Sequence, residues 1–190
     1  YSYKDEDWNV MVDKIKEIFY KHSGQRGLIL CTQYRQIKEI RRVMEERYPN
    51  DFMRLTFDEK GRKFKDTISE NNGKPNGGVI ISAKAGTGID LKGDLSRFQI
   101  IIKAPYLSEL QAENDKRAIK IKEFDLERFF MKSLFRLIQF AGRSVRGITD
   151  YAETYVLDSG TKYMIQYGGM RRKYVPIWFY NACRFNAILN

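Results

Sequence analysis

Short apolar runs alternate with stretches of helical period along most of this chain, and that alternation constrains its fold more than any other feature. Residues 27–32, 79–83 and 98–103 are compact runs rich in Ile, Leu and Val with little polar alternation, as in strands buried on both faces. Residues 52–57 and 151–157 read as two further strands. Between them, residues 7–21 place Trp8, Val12, Ile15, Ile18 and Phe19 at helical spacing, and residues 33–48 do the same with Ile37, Ile40, Val43 and Met44. Residues 59–70, 107–120, 123–141 and 173–189 are predicted as the other helices. Ser23-Gly24, Pro49 and the Asn/Gly/Pro-rich run 71–78 supply the stops. Strands of this kind, separated by helices, form a parallel sheet covered on both faces, which binds ligands beyond the carboxyl ends of its strands. A chain of 190 residues is expected to form a single α/β domain over 1–190, burying about 70% of its unfolded surface without a disulfide or metal staple.

Charge narrows the partner. Thirty-four basic and 24 acidic residues leave a formal charge of +10, which favours an anionic partner, nucleic acid above all. From Ser159 onward there is no carboxylate, while Lys162, Arg171, Arg172, Lys173 and Arg184 interleave with Tyr163, Tyr167, Tyr174, Trp178, Phe179 and Tyr180. That mixture suits a surface that tracks phosphates and stacks bases. It equally suits a helix packing its aromatics inward. Two cysteines, Cys31 and Cys183, and one histidine, His22, make neither a zinc site nor a histidine-dependent nucleophile, so no metal ligands are assigned. Cys31 is expected as a buried thiol and His22 as a helix-end cap. No run of 18 apolar residues and no leader pattern is present, which predicts no membrane partner and a cytoplasmic protein, nuclear if eukaryotic. Because it opens on Tyr1, the chain is expected to be part of something longer.

Two stretches carry chemistry. Gln139-Phe140-Ala141-Gly142-Arg143-Ser144-Val145-Arg146 puts two guanidinium groups three positions apart at a predicted helix end, an arrangement suited to a phosphoryl group gaining charge. Lys84-Ala85-Gly86-Thr87-Gly88-Ile89-Asp90-Leu91 is a glycine-rich loop straight after a predicted strand, where a ligand can approach backbone closely. Thr32-Gln33-Tyr34, residues 83–88 and the end of the arginine helix are expected to converge on one rim of the sheet.

At these residues the chain resembles the second, C-terminal RecA-like domain of superfamily-two helicases, the XPD/DinG-like branch in particular. Gln139, Gly142, Arg143 and Arg146 match motif VI, Q-x-x-G-R-x-x-R. Gly88-Ile89-Asp90-Leu91-Lys92-Gly93-Asp94 is similar to motif V, and Leu28-Ile29-Leu30-Cys31-Thr32-Gln33-Tyr34 to motif IV. Ile100-Ile101-Ile102-Lys103-Ala104-Pro105-Tyr106 resembles the strand and Pro-Tyr turn after motif V, and residues 150–158 the segment after motif VI. Ala85-Gly86-Thr87 stands where the branch has an aromatic–acidic pair, and there is no G-x-x-x-x-G-K-[ST] loop.

The resemblance implies a RecA-like three-layer sandwich, a mainly parallel sheet with helices on both faces. It implies ATP and Mg held mainly by a first RecA-like domain that this chain lacks. Arg143 and Arg146 would act as arginine fingers, with Gln139 orienting water or bridging the cleft. Gly88, Asp90 and Gly142 would meet the nucleotide, and single-stranded DNA would run past Thr32, Tyr34, Ser82 and Lys84. The full-length protein would be an ATP-dependent DNA helicase of the kind used in DNA repair, and this piece alone would be inactive. The other reading is a non-catalytic basic module that binds nucleic acid on a helicase-like fold.

Overall fold

A computed structural model describes residues 4–84, 91, 93–106, 126–145, 149–162, 165 and 174–184, with side chains from residue 130 onward in the helix that begins at 126. The strands are β1 (Gly27–Leu30), β2 (Leu55–Phe57), β3 (Val79–Ser82), β4 (Phe98–Ile101) and β5 (Glu153–Val156). The helices are α1 (Asp5–Lys21), α2 (Tyr34–Arg47), α3 (Pro49–Phe52), α4 (Phe64–Asn72), α5 (Leu126–Ala141), α6 (Ser159–Lys162) and α7 (Ile177–Ala182), with 3-10 turns at Gly93–Leu95 and Gly142–Ser144. The five strands form one sheet in the order β2-β3-β1-β4-β5, every pair parallel. The expected α/β class and parallel sheet are therefore present. The chain divides into two compact units, Tyr1–Lys103 with Phe140–Leu157, which holds the whole sheet, and Ala104–Gln139 with Asp158–Asn190.

Alternation along β4 shows how the sheet is covered. Consecutive strand residues point to opposite faces. Phe98 meets Phe19 and His22 at the end of α1. Its neighbour Gln99 donates Nε2–H to the Ala141 carbonyl at the end of α5, at 2.6 Å. The end of α1 and Ala141 thus meet opposite faces, and β1, β3 and β4 are buried throughout. Gly27 pairs with Phe98 across the β1–β4 ladder, and a Cβ there would lie 2.3 Å from the Phe98 ring, so only glycine lets the two strands pair at this point.

Three local expectations change in the structure. The helix predicted from residue 59 begins at Phe64. Gly61 adopts φ +87°, the Glu59 carbonyl closes a turn with Arg62 N–H at 3.2 Å, and the Glu59 and Arg62 carbonyls both accept from the Lys84 ammonium. The last helix covers Ile177–Ala182 among the described residues, starting after Pro176 and ending at Cys183, whose backbone is extended. His22 does end α1, but through its backbone N–H to the Ile18 carbonyl. Its buried ring stacks on Phe98 at 4.5 Å, with Nδ1 2.7 Å from Gln25 Oε1 and Nε2 2.9 Å from the Tyr155 hydroxyl. The helix predicted over 107–120 lies outside the described residues.

Arg54 joins three elements from inside. It precedes β2, is buried, and lies 4.8 Å over the Phe19 ring. Its guanidinium donates to the carbonyls of Phe19, His22, Gln25 and Gly77. Burial holds its pKa below the ordinary arginine value. A guanidinium serves here because its fork matches several carbonyls that the end of a helix leaves unpaired.

Candidate functional site

The carboxyl ends of β1 and β3 hold the first group of predicted residues. Past β1 the chain turns into α2, and the turn is fixed by Gln36. Its buried Oε1 accepts from Thr32 N–H at 2.7 Å, Thr32 Oγ1–H at 3.2 Å and Gln33 N–H at 3.2 Å. Thr32 is half-buried, and Tyr34, the first residue of α2, stands 39% exposed. Ser82 is fully buried: its hydroxyl donates to Asp58 Oδ2 at 2.6 Å and accepts from Lys84 N–H at 3.0 Å. The Lys84 ammonium pairs with Asp58 Oδ1 at 2.7 Å and donates to the Glu59 and Arg62 carbonyls. Of the four residues expected along the nucleic-acid path, Tyr34 and Thr32 offer surface, whereas Ser82 and Lys84 are engaged within the chain.

The amino ends of β4 and β5 hold the second group. Phe140 and Ala141, which end α5, belong to the compact unit that holds the sheet, and Ala141 meets Gln99 of β4. Gly142 and Arg143 follow in the 3-10 turn Gly142–Ser144, both half-buried. The buried Ser144 hydroxyl lies 2.8 Å from Ser96 Oγ and donates to Gln99 Oε1 at 3.3 Å. Ser96 immediately precedes β4, and Gln99 also bonds Thr154 of β5 at 2.7 Å. The turn carrying Arg143 is thereby fixed to the opening of β4. Gln139 is exposed in the last turn of α5 and belongs to the second compact unit. Gly88, Asp90 and Arg146 lie outside the described residues.

A dense ionic cluster occupies the same edge. Arg97 donates to Asp94 Oδ1 from Nε at 2.9 Å and Nη2 at 2.7 Å, and from Nη1 to Asp150 Oδ1 at 3.0 Å. Nη1 also reaches the Tyr151 carbonyl, and the guanidinium lies 4.5 Å over the Tyr151 ring. Asp150 accepts from Tyr151 N–H on Oδ1 and from Gly93 N–H on Oδ2. Hydrogen bonding to Asp94 holds the Arg97 pKa above its ordinary value.

The expectation of a single rim is therefore corrected. Thr32, Tyr34, Ser82 and Lys84 follow the carboxyl ends of β1 and β3, whereas Gly142 and Arg143 lie at the amino ends of β4 and β5, about 10 Å away along strands of this length. The bonds of Ser144 to Ser96 and Gln99 hold the arginine turn at the opening of β4, away from the rim where β1 and β3 end. Sequence reasoning also passed over Asp58, Gln99, Arg97 and Asp150. A carboxylate directly after a short strand, and a glutamine inside an otherwise apolar one, were the available signals.

Residues 16–168 match the helicase C-terminal domain family. The chain belongs to that family. Among solved structures, this helicase domain is similar to XPD in an apo form, with 18% identity and TM-score 0.66 over 90% of this chain and 35% of that one. It is similar to a second XPD helicase structure at 15% identity and the same TM-score, over 90% of this chain and 31% of the other. Domain 2 of the DEAD-box helicase Mss116p bound to an RNA duplex matches at 10% identity and TM-score 0.51, over 85% of this chain and 54% of that one. The sequence matches no curated protein. The helicase domain thus has the RecA-like fold of an XPD-type C-terminal lobe and spans about a third of the XPD chains it matches. Among the described residues no helix is long and apolar enough to cross a membrane, and no cluster of His, Cys, Asp or Glu is arranged to hold a metal ion.

Proposed function

We propose that this chain is the C-terminal motor lobe of an ATP-dependent DNA helicase and supplies positive charge to a nucleotide gripped mainly by a first RecA-like lobe. The observation that carries the reading is the placement of Arg143, half-buried in a turn fixed by Ser144 to Ser96 and Gln99, within the Q-x-x-G-R-x-x-R pattern. A guanidinium held by rigid neighbours meets phosphate charge without reorganising as that charge grows. The cationic donors Arg143 and Arg146 fit triphosphate oxygens, and bound Mg would neutralise charge on those oxygens from ligands in the first lobe. Gln139 orients water or bridges the cleft, and Gly88, Asp90 and Gly142 approach the nucleotide. Tyr34 and Thr32 supply the exposed part of a single-stranded DNA track, with Ser82 and Lys84 holding the loop behind it. Separating the two sets at opposite strand ends lets one lobe touch both ligands. Repair of DNA and a nuclear or cytoplasmic site of action belong to the same reading.

Replacing Arg146 by Ala in the protein bearing both lobes tests it. ATP turnover is expected to fall by on the order of 10³–10⁵, the usual worth of such an arginine. Turnover within about threefold of the parent would overturn the finger role and favour a non-catalytic basic module. Competition between DNA and RNA oligonucleotides of one sequence decides the nucleic-acid assignment.

A further inference from the structure

We propose that Asp150 and Arg97 form a positioning strut that fixes the exit of the glycine-loop motif against the exit of the arginine motif, and that ATP turnover depends on it. The proposal rests on the functional reading above. Asp150 lies four residues after Arg146, and Gly93 lies three after Asp90. One carboxylate therefore ties both motif exits: Oδ2 holds Gly93 N–H at 3.2 Å, while Oδ1 holds Arg97 Nη1 at 3.0 Å and Tyr151 N–H at 3.0 Å. Gly93 stands at φ +55°, a left-handed conformation that glycine adopts without strain, and this aims its N–H at the carboxylate. Arg97, 19% exposed, closes the ring by gripping the exposed Asp94 on one side and Asp150, 12% exposed, on the other. The Ser96–Ser144 bond at 2.8 Å fastens the same two segments a second time.

Hydrogen bonds of Arg97 and Asp150 run to one another and to neighbouring backbone. The effect of this cluster is geometric: it sets the spacing between the backbone at Gly93 and the backbone at Asp150 and Tyr151. Positive charge displaced by about an ångström from a reacting phosphoryl group loses much of its effect on rate while binding persists. The strut should therefore act on kcat and not on ground-state affinity.

The test uses the protein bearing both lobes. Asp150→Asn keeps the shape but replaces one acceptor oxygen by a donor, so Gly93 N–H and Arg97 can no longer both be served. A drop in kcat of at least tenfold is expected, with KM for ATP and oligonucleotide affinity each within about threefold. Arg97→Lys keeps the charge without the fork and should lose less. The Asp150→Asn effect should largely vanish in an Arg97→Gln background. An unchanged kcat in Asp150→Asn, additive effects in the double variant, or equal losses in kcat and oligonucleotide affinity would overturn the strut. If Asp150→Asn fails to fold, Arg97→Lys decides alone: parental turnover in that variant refutes the proposal. An inactive Arg146→Ala beside a fully active Asp150→Asn would sink the strut and leave the functional reading standing. An active Arg146→Ala would sink that reading and the strut with it.

Discussion

Asp58 is a fully buried carboxylate with one ammonium partner, and its neighbourhood explains what Lys84 does. Removing one member of a buried pair leaves the other charged and unmatched, which costs several times more than the intact pair contributes. Lys84→Met is therefore expected to lower stability by about 3 kcal/mol in urea unfolding. Asp58→Asn added to it should recover part of that loss, because the unpaired charge is gone. A Lys84→Met variant as stable as the parent would show that the ammonium is a surface charge after all. A similar argument applies to Arg54, whose buried guanidinium serves four carbonyls, of which, among the described residues, only that of His22 also accepts a backbone N–H, from Gln25. Arg54→Met should cost about 3 kcal/mol or more, measured in the same way. At this scale the sequence is legible for types and not for partners. Cys31 reads as buried and is buried, where desolvation pushes its thiol pKa up. Tyr34 reads as part of the nucleic-acid path, and the structure leaves it 39% exposed. Lys84 reads as a cation on the nucleic-acid path because Asp58 is distant in sequence, and nothing local announces that β2 and β3 end side by side.

Between elements, the end of α1 is clasped to β5. Lys21 Nζ pairs with Glu153 Oε2 at 2.7 Å and donates to the Tyr155 hydroxyl at 2.8 Å, which in turn donates to Glu153. Hydrogen bonds from Lys21 and Tyr155 hold the Glu153 pKa below its ordinary 4.5. A depressed carboxylate contributes stability above its unfolded pKa and loses it as pH falls through the folded one. The clasp should thus weaken below about pH 4.5, and Glu153→Gln should remove that part of the acid limb while leaving the rest. More than half of the Glu153 side chain is exposed, so solvent screening keeps the change below about 1 kcal/mol. Equal acid limbs in parent and variant would refute the clasp. Hydrogen bonding to Glu153 also raises the Lys21 pKa, so its share of the clasp persists through neutral pH and disappears only as pH rises through that elevated value. Strand positions were legible here because β1, β3 and β4 are buried on both faces and carry unbroken apolar runs. The order β2-β3-β1-β4-β5 was not, since neighbours in the sheet are distant in the chain. The single-rim expectation failed for the same reason: nothing in chain order announces that Ser144 bonds Ser96 and Gln99 at the opening of β4.

For the molecule as a whole, +10 of formal charge makes a prediction independent of any one residue. Affinity for a single-stranded oligonucleotide, followed by anisotropy, should fall linearly on a log–log salt plot, with a slope of about −0.7 per neutralised phosphate. A flat line would remove nucleic acid as a partner of this lobe. The separation of its candidate surfaces carries a mechanical consequence. Tyr34 follows β1 at one end of the sheet, and Arg143 is anchored at the other end of the adjoining β4. A pull passed between them runs lengthwise through strands joined side by side, so the rungs of the β1–β4 ladder share the load in shear and do not peel apart one after another. Such a lobe can hand tension from end to end while staying stiff.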